Sequence, residues 1–113
     1  MLTRELAGAS AKPLILSILA DGESYGYAIL QRIEKLSSGE LSWDDGTLYP
    51  VLHRLENQGL LISTWRKAED SRRRRKYYNI TEKGLQALDR EKNQWLRVDA
   101  VFAQLWGLQP RLT

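Results

Sequence analysis

Leu48, Val51, Leu52 and Leu55 fall at i, i+3, i+4 and i+7, the spacing of one face of an α-helix. The surrounding segment, residues 44–59, carries its own punctuation. Asp44, Asp45 or Thr47 can cap the start with a side-chain oxygen. Gly59 suits the position that stops the helix. Pro50 constrains the register, because proline is tolerated in a first turn, where backbone N–H groups lack intrahelical partners. With Thr47 as the cap, Pro50 would be the third helical residue. The outer face carries Gly46, Pro50, His53, Arg54 and Asn57, flanked by Thr47 and Tyr49, and none of these is an acid. Two readings are open: an ordinary solvated face, or one that meets phosphates and base edges.

The preceding residues are helical too. Leu6, Leu14, Ile15, Ile18 and Leu19 supply apolar positions across residues 2–20. These form one bent helix, or two pieces with Ser10 capping the second and Pro13 in its first turn. After an Asp-Gly-Glu turn at residues 21–23, Ser24 caps a helix reaching about Ser37. Ile29, Ile33 and Leu36 mark its buried side, with Tyr27, Gln31, Glu34 and Lys35 opposite. Gly26 in the first turn disfavours helix by ~1 kcal/mol relative to Ala. Tight packing, or close approach of a backbone or phosphate, would account for it. Residues 41–43 are expected to form a short bridging strand. Two helices on a short connection make a helix-turn-helix, whose second helix can enter a major groove.

Beyond Gly59 the period changes to two. Leu60, Ile62 and Thr64 alternate with Leu61, Ser63 and Trp65, and Tyr78 and Ile80 alternate with Tyr77 and Asn79. These are strands. The loop between them, residues 67–75, has no apolar residue beyond Ala68 and is expected to protrude. Arg66, Lys67, Arg72, Arg73, Arg74, Arg75 and Lys76 crowd this region against only Glu69 and Asp70. Such local concentration of one sign calls for an anionic partner more than the net charge of +3 does. A helix-turn-helix followed by a hairpin with a basic tip is a winged helix.

Thr81 caps a long last helix, with Glu82 in its first turn, ending near Gly107. Leu88, Trp95, Val98, Phe102 and Leu105 form a heptad-like seam. A chain of 113 residues buries only a small core and often completes its burial against a copy of itself. The expected dimer interface is that seam with Leu6. Trp95 has two readings, interface packing or an aromatic wall for a planar ligand at the dimer centre. Asp99, one turn on, would favour a cationic ligand, or is exposed, or pairs with an arginine such as Arg4.

One histidine and no cysteine exclude disulfides and thiolate metal sites. They leave no nucleophile–base–acid set around His53, so the expectation is no enzyme, no metal and no cofactor. No apolar run approaches the ~18 residues of a membrane span, and the N-terminus lacks signal-peptide order, so cytoplasm and no membrane partner are expected.

At this point the sequence resembles a known family. Tyr25-Gly26-Tyr27-Ala28-Ile29, Gly46-Thr47-Leu48-Tyr49-Pro50-Val51-Leu52-His53-Arg54-Leu55-Glu56, Arg75-Lys76-Tyr77-Tyr78 and Thr81-Glu82-Lys83-Gly84 are similar in order and spacing to the PadR family of bacterial transcriptional regulators. The single C-terminal helix is similar to the small subclass that includes multidrug-binding repressors. The resemblance implies a homodimer on a pseudo-palindromic operator in double-stranded DNA, acting as a ligand-responsive repressor. It places Tyr25, Thr47, Tyr49 and His53 on DNA, with Arg72, Arg73, Arg74, Arg75 and Lys76 as the wing. Tyr27, Pro50, Arg54 and Asn57 complete the expected contact set. The tryptophan–aspartate spacing of Trp95 and Asp99 matches the multidrug-binding members, which implies a small planar aromatic effector there. Two departures stand out. Arg73-Arg74 replace the start of the usual Gly-Arg-Pro-Arg-Lys-Tyr-Tyr wing, and Asn79 stands where a basic residue is common.

The expected architecture is mainly α with a small β-hairpin: a winged helix-turn-helix over residues 1–80, a dimerisation helix over 81–108 and a tail over 109–113. The alternative is a ligand- or protein-binding winged-helix dimer without specific DNA readout.

Overall fold

The first helix, α1 (Arg4–Ala20), presents a wide apolar face made of Ala11, Ile15, Leu16, Ile18 and Leu19, all buried. The rest of the chain packs around it in the computed structural model, which describes residues 2–108. The order is β1 (Ser24–Tyr25), α2 (Gly26–Leu36), α3 (Asp45–Asn57), β2 (Leu61–Lys67), β3 (Arg74–Ile80) and α4 (Glu82–Trp106). The strands form one antiparallel sheet in the order β1-β3-β2. Ile29 and Ile33 of α2, Leu48, Leu52 and Leu55 of α3, Tyr78 of β3 and Leu88 of α4 join α1 in a single core. This is the expected winged helix, mainly α with a small hairpin. The tail at residues 109–113, with Pro110, lies outside the described residues.

Local details differ from expectation. α1 is one helix that runs through Pro13, capped by Thr3, whose Oγ1 accepts from the Leu6 N–H at 3.2 Å. Ser10 is not a cap; its hydroxyl donates to the Ala7 carbonyl at 3.0 Å. Ser24 does not cap α2 either. The Ser24–Tyr25 strand pairs with Tyr78 and Tyr77, and Tyr25 begins the helix with no side-chain cap bond. The bridging strand therefore lies here and not at residues 41–43. The reason is position: the 21–23 turn delivers residues 24–25 to the open edge of β3. The 41–43 segment is instead held back on α2, where the Leu41 N–H donates to Ser37 Oγ at 2.9 Å.

The hairpin is longer than the hydrophobic alternation foretold. Pairing continues through Arg66↔Arg75 and Lys67↔Arg74. Like charges directly opposite one another oppose pairing, so these rungs need compensation. On the sheet face turned away from α3, Tyr25 and Tyr77 meet edge to face at 5.7 Å. The Arg66 guanidinium lies 3.8 Å over Tyr77 and that of Arg75 4.1 Å over Tyr25. Each such contact contributes about 0.5–1 kcal/mol at an exposed site. Glu23 accepts from both arms of Arg66 and from Asn79 Nδ2 at 3.2 Å, and Asp70 pairs with Arg75 at 3.3 Å. The bonds from Arg66 and then Asn79 hold the Glu23 carboxyl below the usual carboxylate range. The turn, residues 68–73, protrudes as expected, with its first residue tucked in. Ala68 is buried, and its N–H donates to the Arg73 carbonyl at 3.0 Å.

The base of the hairpin is closed by the start of α4. Thr81 caps α4 by accepting from the Gly84 N–H at 3.0 Å, and its hydroxyl donates to the Gly59 carbonyl at 2.7 Å. Lys83 Nζ donates to the Gln58 carbonyl at 2.9 Å, and the Thr81 N–H to that of Leu60 at 3.0 Å. Carbonyls at the end of a helix have no intrahelical partner, and α4 supplies partners for those just past α3. Gly84 permits the approach. A Cβ there would overlap the Leu60 carbonyl oxygen and come within 2.6 Å of Ile80 Cγ1.

Two measurements check this account. Helix propensity alone favours Gly84→Ala by about 1 kcal/mol, but overpacking against backbone costs about 1–3 kcal/mol. The urea midpoint of Gly84→Ala should therefore fall. Glu23→Gln should melt below the wild type at neutral pH. Because the folded carboxyl of Glu23 titrates below its unfolded counterpart, its stabilisation is present above the ordinary carboxylate range and lost as pH falls through the folded value. The difference between the two melting curves should close on acidification.

Candidate nucleic-acid interface

α3 is capped by Asp44, not Thr47. Asp44 Oδ1 accepts from the Thr47 hydroxyl at 3.0 Å and from its N–H at 2.9 Å. These two bonds hold the Asp44 carboxyl below the usual carboxylate range. Pro50 consequently sits in the second turn of the helix. Its ring removes the bond to the carbonyl of residue 46, four positions back, and that residue is a glycine. Leu48, Val51, Leu52 and Leu55 are buried as the spacing predicts, and Gly59 follows the helix at φ 77°. Gly46, Thr47, Tyr49, Pro50, His53, Arg54 and Asn57 are all exposed.

This exposed face divides. Tyr49 and His53 turn toward the wing and line an open groove of about 590 Å³ with Tyr25, Gly26, Tyr27, Trp65, Arg74, Arg75, Lys76 and Tyr78. Thr47 and Arg54 turn the other way and line a crevice shared with Arg4 and Trp43. Gly26 is where α2 and α3 meet. A Cβ there would lie 2.9 Å from Tyr49 Cζ, so tight packing accounts for this glycine. Tyr78 is wholly buried at the groove floor, and burial raises the pKa of its hydroxyl.

The basic run also divides, because successive side chains of a strand point to opposite faces. Arg75, expected at the tip, stacks on Tyr25, and the pair borders both the groove and the far face. Lys76 lies in the groove but is 3.7 Å from Glu56 of α3, whose other oxygen accepts from the Ser63 hydroxyl. Arg74 donates to the Trp65 carbonyl at 3.3 Å. The side chains of Arg72 and Arg73 are exposed, and neither has an ion pair among the described residues. Asn79 is taken by Glu23 on the far face. Sequence reasoning passed over Trp65 and Glu56. The signal for Trp65 was available, since the alternation puts it on the same strand face as Lys76, its cross-strand partner.

A second surface lies on α4. Leu88, expected on the interface seam, is buried in this protomer's own core. Past it the helix leaves the core, and Trp95, Leu96, Val98, Val101, Phe102, Leu105 and Trp106 are exposed, as are Leu6 in the first turn of α1 and Leu2 just before it. Phe102 stacks on Trp106 at 4.6 Å. Asp99 is half-buried, and its Oδ2 is covered without a hydrogen-bond partner among the described residues. No described helix is long and apolar enough to cross a membrane.

The chain matches known proteins over this same architecture. The model of the "Transcriptional regulator PadR-like family" matches residues 15–90, which include α2, α3, the wing and the start of α4. Transcriptional regulator Rv3488 of Mycobacterium tuberculosis is 38% identical over 89 residues, 79% of this chain and 78% of that protein. A PadR-like transcriptional regulator from Bacillus cereus superposes with a TM-score of 0.81 at 28% identity, covering 93% of this chain and 99% of that one. A PadR family regulator from Eggerthella lenta superposes with a TM-score of 0.74 at 34% identity, covering 90% and 86%. With its wing, its exposed α3 face and the junction to α4 all inside these matches, the chain belongs to the PadR-like family of DNA-binding transcriptional regulators.

Proposed function

We propose that this protein is a cytoplasmic, non-enzymatic repressor that binds a pseudo-palindromic operator as a homodimer and releases it in response to a small planar aromatic molecule. The observation that carries the reading is the groove. It joins the exposed face of α3 to the wing along one cationic, acid-poor surface. α3 enters the major groove with His53, Asn57 and Pro50 toward the bases. Tyr25, Tyr27 and Tyr49 meet the backbone on the wing side, and Thr47 and Arg54 on the other. Arg72, Arg73 and Arg74 meet phosphates, whereas Arg75 and Lys76 chiefly hold the wing in place.

The rest of the proposal rests on α4. An exposed apolar face of this extent marks an interaction site, and two copies can cover it isologously. Residues 1–80 with the first turns of α4 then read DNA, and the remainder of α4 joins the protomers. Trp95 and the unpaired Asp99 oxygen lie on that same stretch, where an aromatic cation would find a flat wall and a counter-charge.

Fluorescence anisotropy against a duplex from upstream of the protein's own coding region, beside a scrambled duplex, tests the core of this. A preference of about 10³-fold is expected. Tight ligand quenching of Trp95 fluorescence with no preference for any duplex would favour a ligand-binding dimer without specific DNA readout. The double variant Arg72→Ala with Arg73→Ala should weaken both duplexes alike. Its plot of log K against log salt should flatten by about 0.9 for each phosphate that is no longer neutralised. Arg75→Ala should instead lower the melting temperature of the free protein. Leu105→Glu should shift the sedimentation coefficient to that of a single chain.

A further inference from the structure

Trp65 is 56% exposed, although the indole is among the largest apolar surfaces a side chain can bury. It lies on the groove-facing side of β2, directly across from Lys76, and the Arg74 guanidinium is bonded to its own carbonyl. The opposite wall of the groove carries Tyr27, 63% exposed, and Tyr49, 37% exposed. Aromatic faces and cations thus share one open channel. This surface is separate from the exposed apolar stretch of α4, so pairing through α4 does not account for it.

The channel's occupant follows from the reading of α3 and the wing as DNA-binding, on which this inference rests. With α3 in a major groove and the wing across the neighbouring backbone, one sugar–phosphate strand passes between them. That strand presents apolar deoxyribose rings alternating with phosphates, and the channel offers flat apolar faces beside cations. We infer that Trp65 is a DNA-contact residue, packing its indole on deoxyribose of the strand held between α3 and the wing. Arg74, on the neighbouring strand, faces an adjoining phosphate. A neutral indole displaces no counterion, so it adds affinity that is independent of both sequence and salt.

The test is a salt titration of Trp65→Ala and Trp65→Phe on the same upstream and scrambled duplexes, with tryptophan emission recorded. Trp65→Ala should bind both duplexes about tenfold more weakly, an effect of the size of removing one aromatic stack, with the wild-type salt slope. Trp65→Phe should recover most of the affinity. DNA should change the emission of the wild type more than that of Trp65→Phe, since Trp95 and Trp106 lie outside both the channel and the crevice of Thr47 and Arg54, which holds Trp43. Equal melting temperatures identify the weakening as a loss of DNA binding and not of folding. If the wild type binds and Trp65→Ala binds equally well, this inference fails alone. A weakening confined to the upstream duplex, or one that changes the salt slope, overturns the sugar contact in favour of a base or phosphate role. If the wild type binds neither duplex at low salt, the DNA reading fails and this inference with it.

Discussion

At the base of the hairpin, Gly84 brings α4 against the backbone of Leu60 so closely that no side chain fits between them. Thr81 and Lys83 then bond the three carbonyls that follow α3. That junction sets where β2 begins relative to the end of α3, and therefore where the wing stands relative to the helix beside it. The groove exists because these two walls are held at a fixed separation. Glu56 repeats the same tie further out, from α3 to Ser63 and Lys76.

Strand alternation gives the basic run its division of labour. Seven cations between Arg66 and Lys76 look uniform as a string. In the pleat, Arg66 goes to the far face and Arg75 borders both faces, and the two are absorbed by Tyr77, Tyr25, Glu23 and Asp70. Arg74 and Lys76 go to the groove, and Arg72 and Arg73 stay in the turn. A hairpin that must project into solvent has little apolar core of its own. Cation–π contacts and ion pairs supply rigidity there, and some charge is thereby withdrawn from whatever the wing meets.

α4 serves two surfaces in succession. Gly84, Ala87 and Leu88 are buried, and from Trp95 onward the large apolar side chains are exposed while Ala103 is buried. A 25-residue helix outruns a core this small. Its far half therefore has apolar residues that its own protomer does not cover, which is why dimerisation and effector binding are both proposed for that stretch.

The sequence by itself determined the order of the helical segments and of the hairpin between α3 and α4. Leu48, Val51, Leu52 and Leu55 fix the buried face of α3, Gly59 its end, Thr81 the start of α4, and the Tyr77–Tyr78 alternation the second strand. Local periodicity and capping chemistry decide these without reference to distant residues. The family resemblance carried by Gly46-Thr47-Leu48-Tyr49-Pro50 also stands. Only the tertiary structure decided which groups meet across long separations. It placed Ser24–Tyr25 on β3 as a third strand, stacked Arg75 on Tyr25, took Asn79 away from the groove, sent Leu88 into the core, and exposed Trp65. Each of these depends on which partner lies on the other side of a strand or helix. A linear pattern says that a residue is on a face, but not what that face is turned toward.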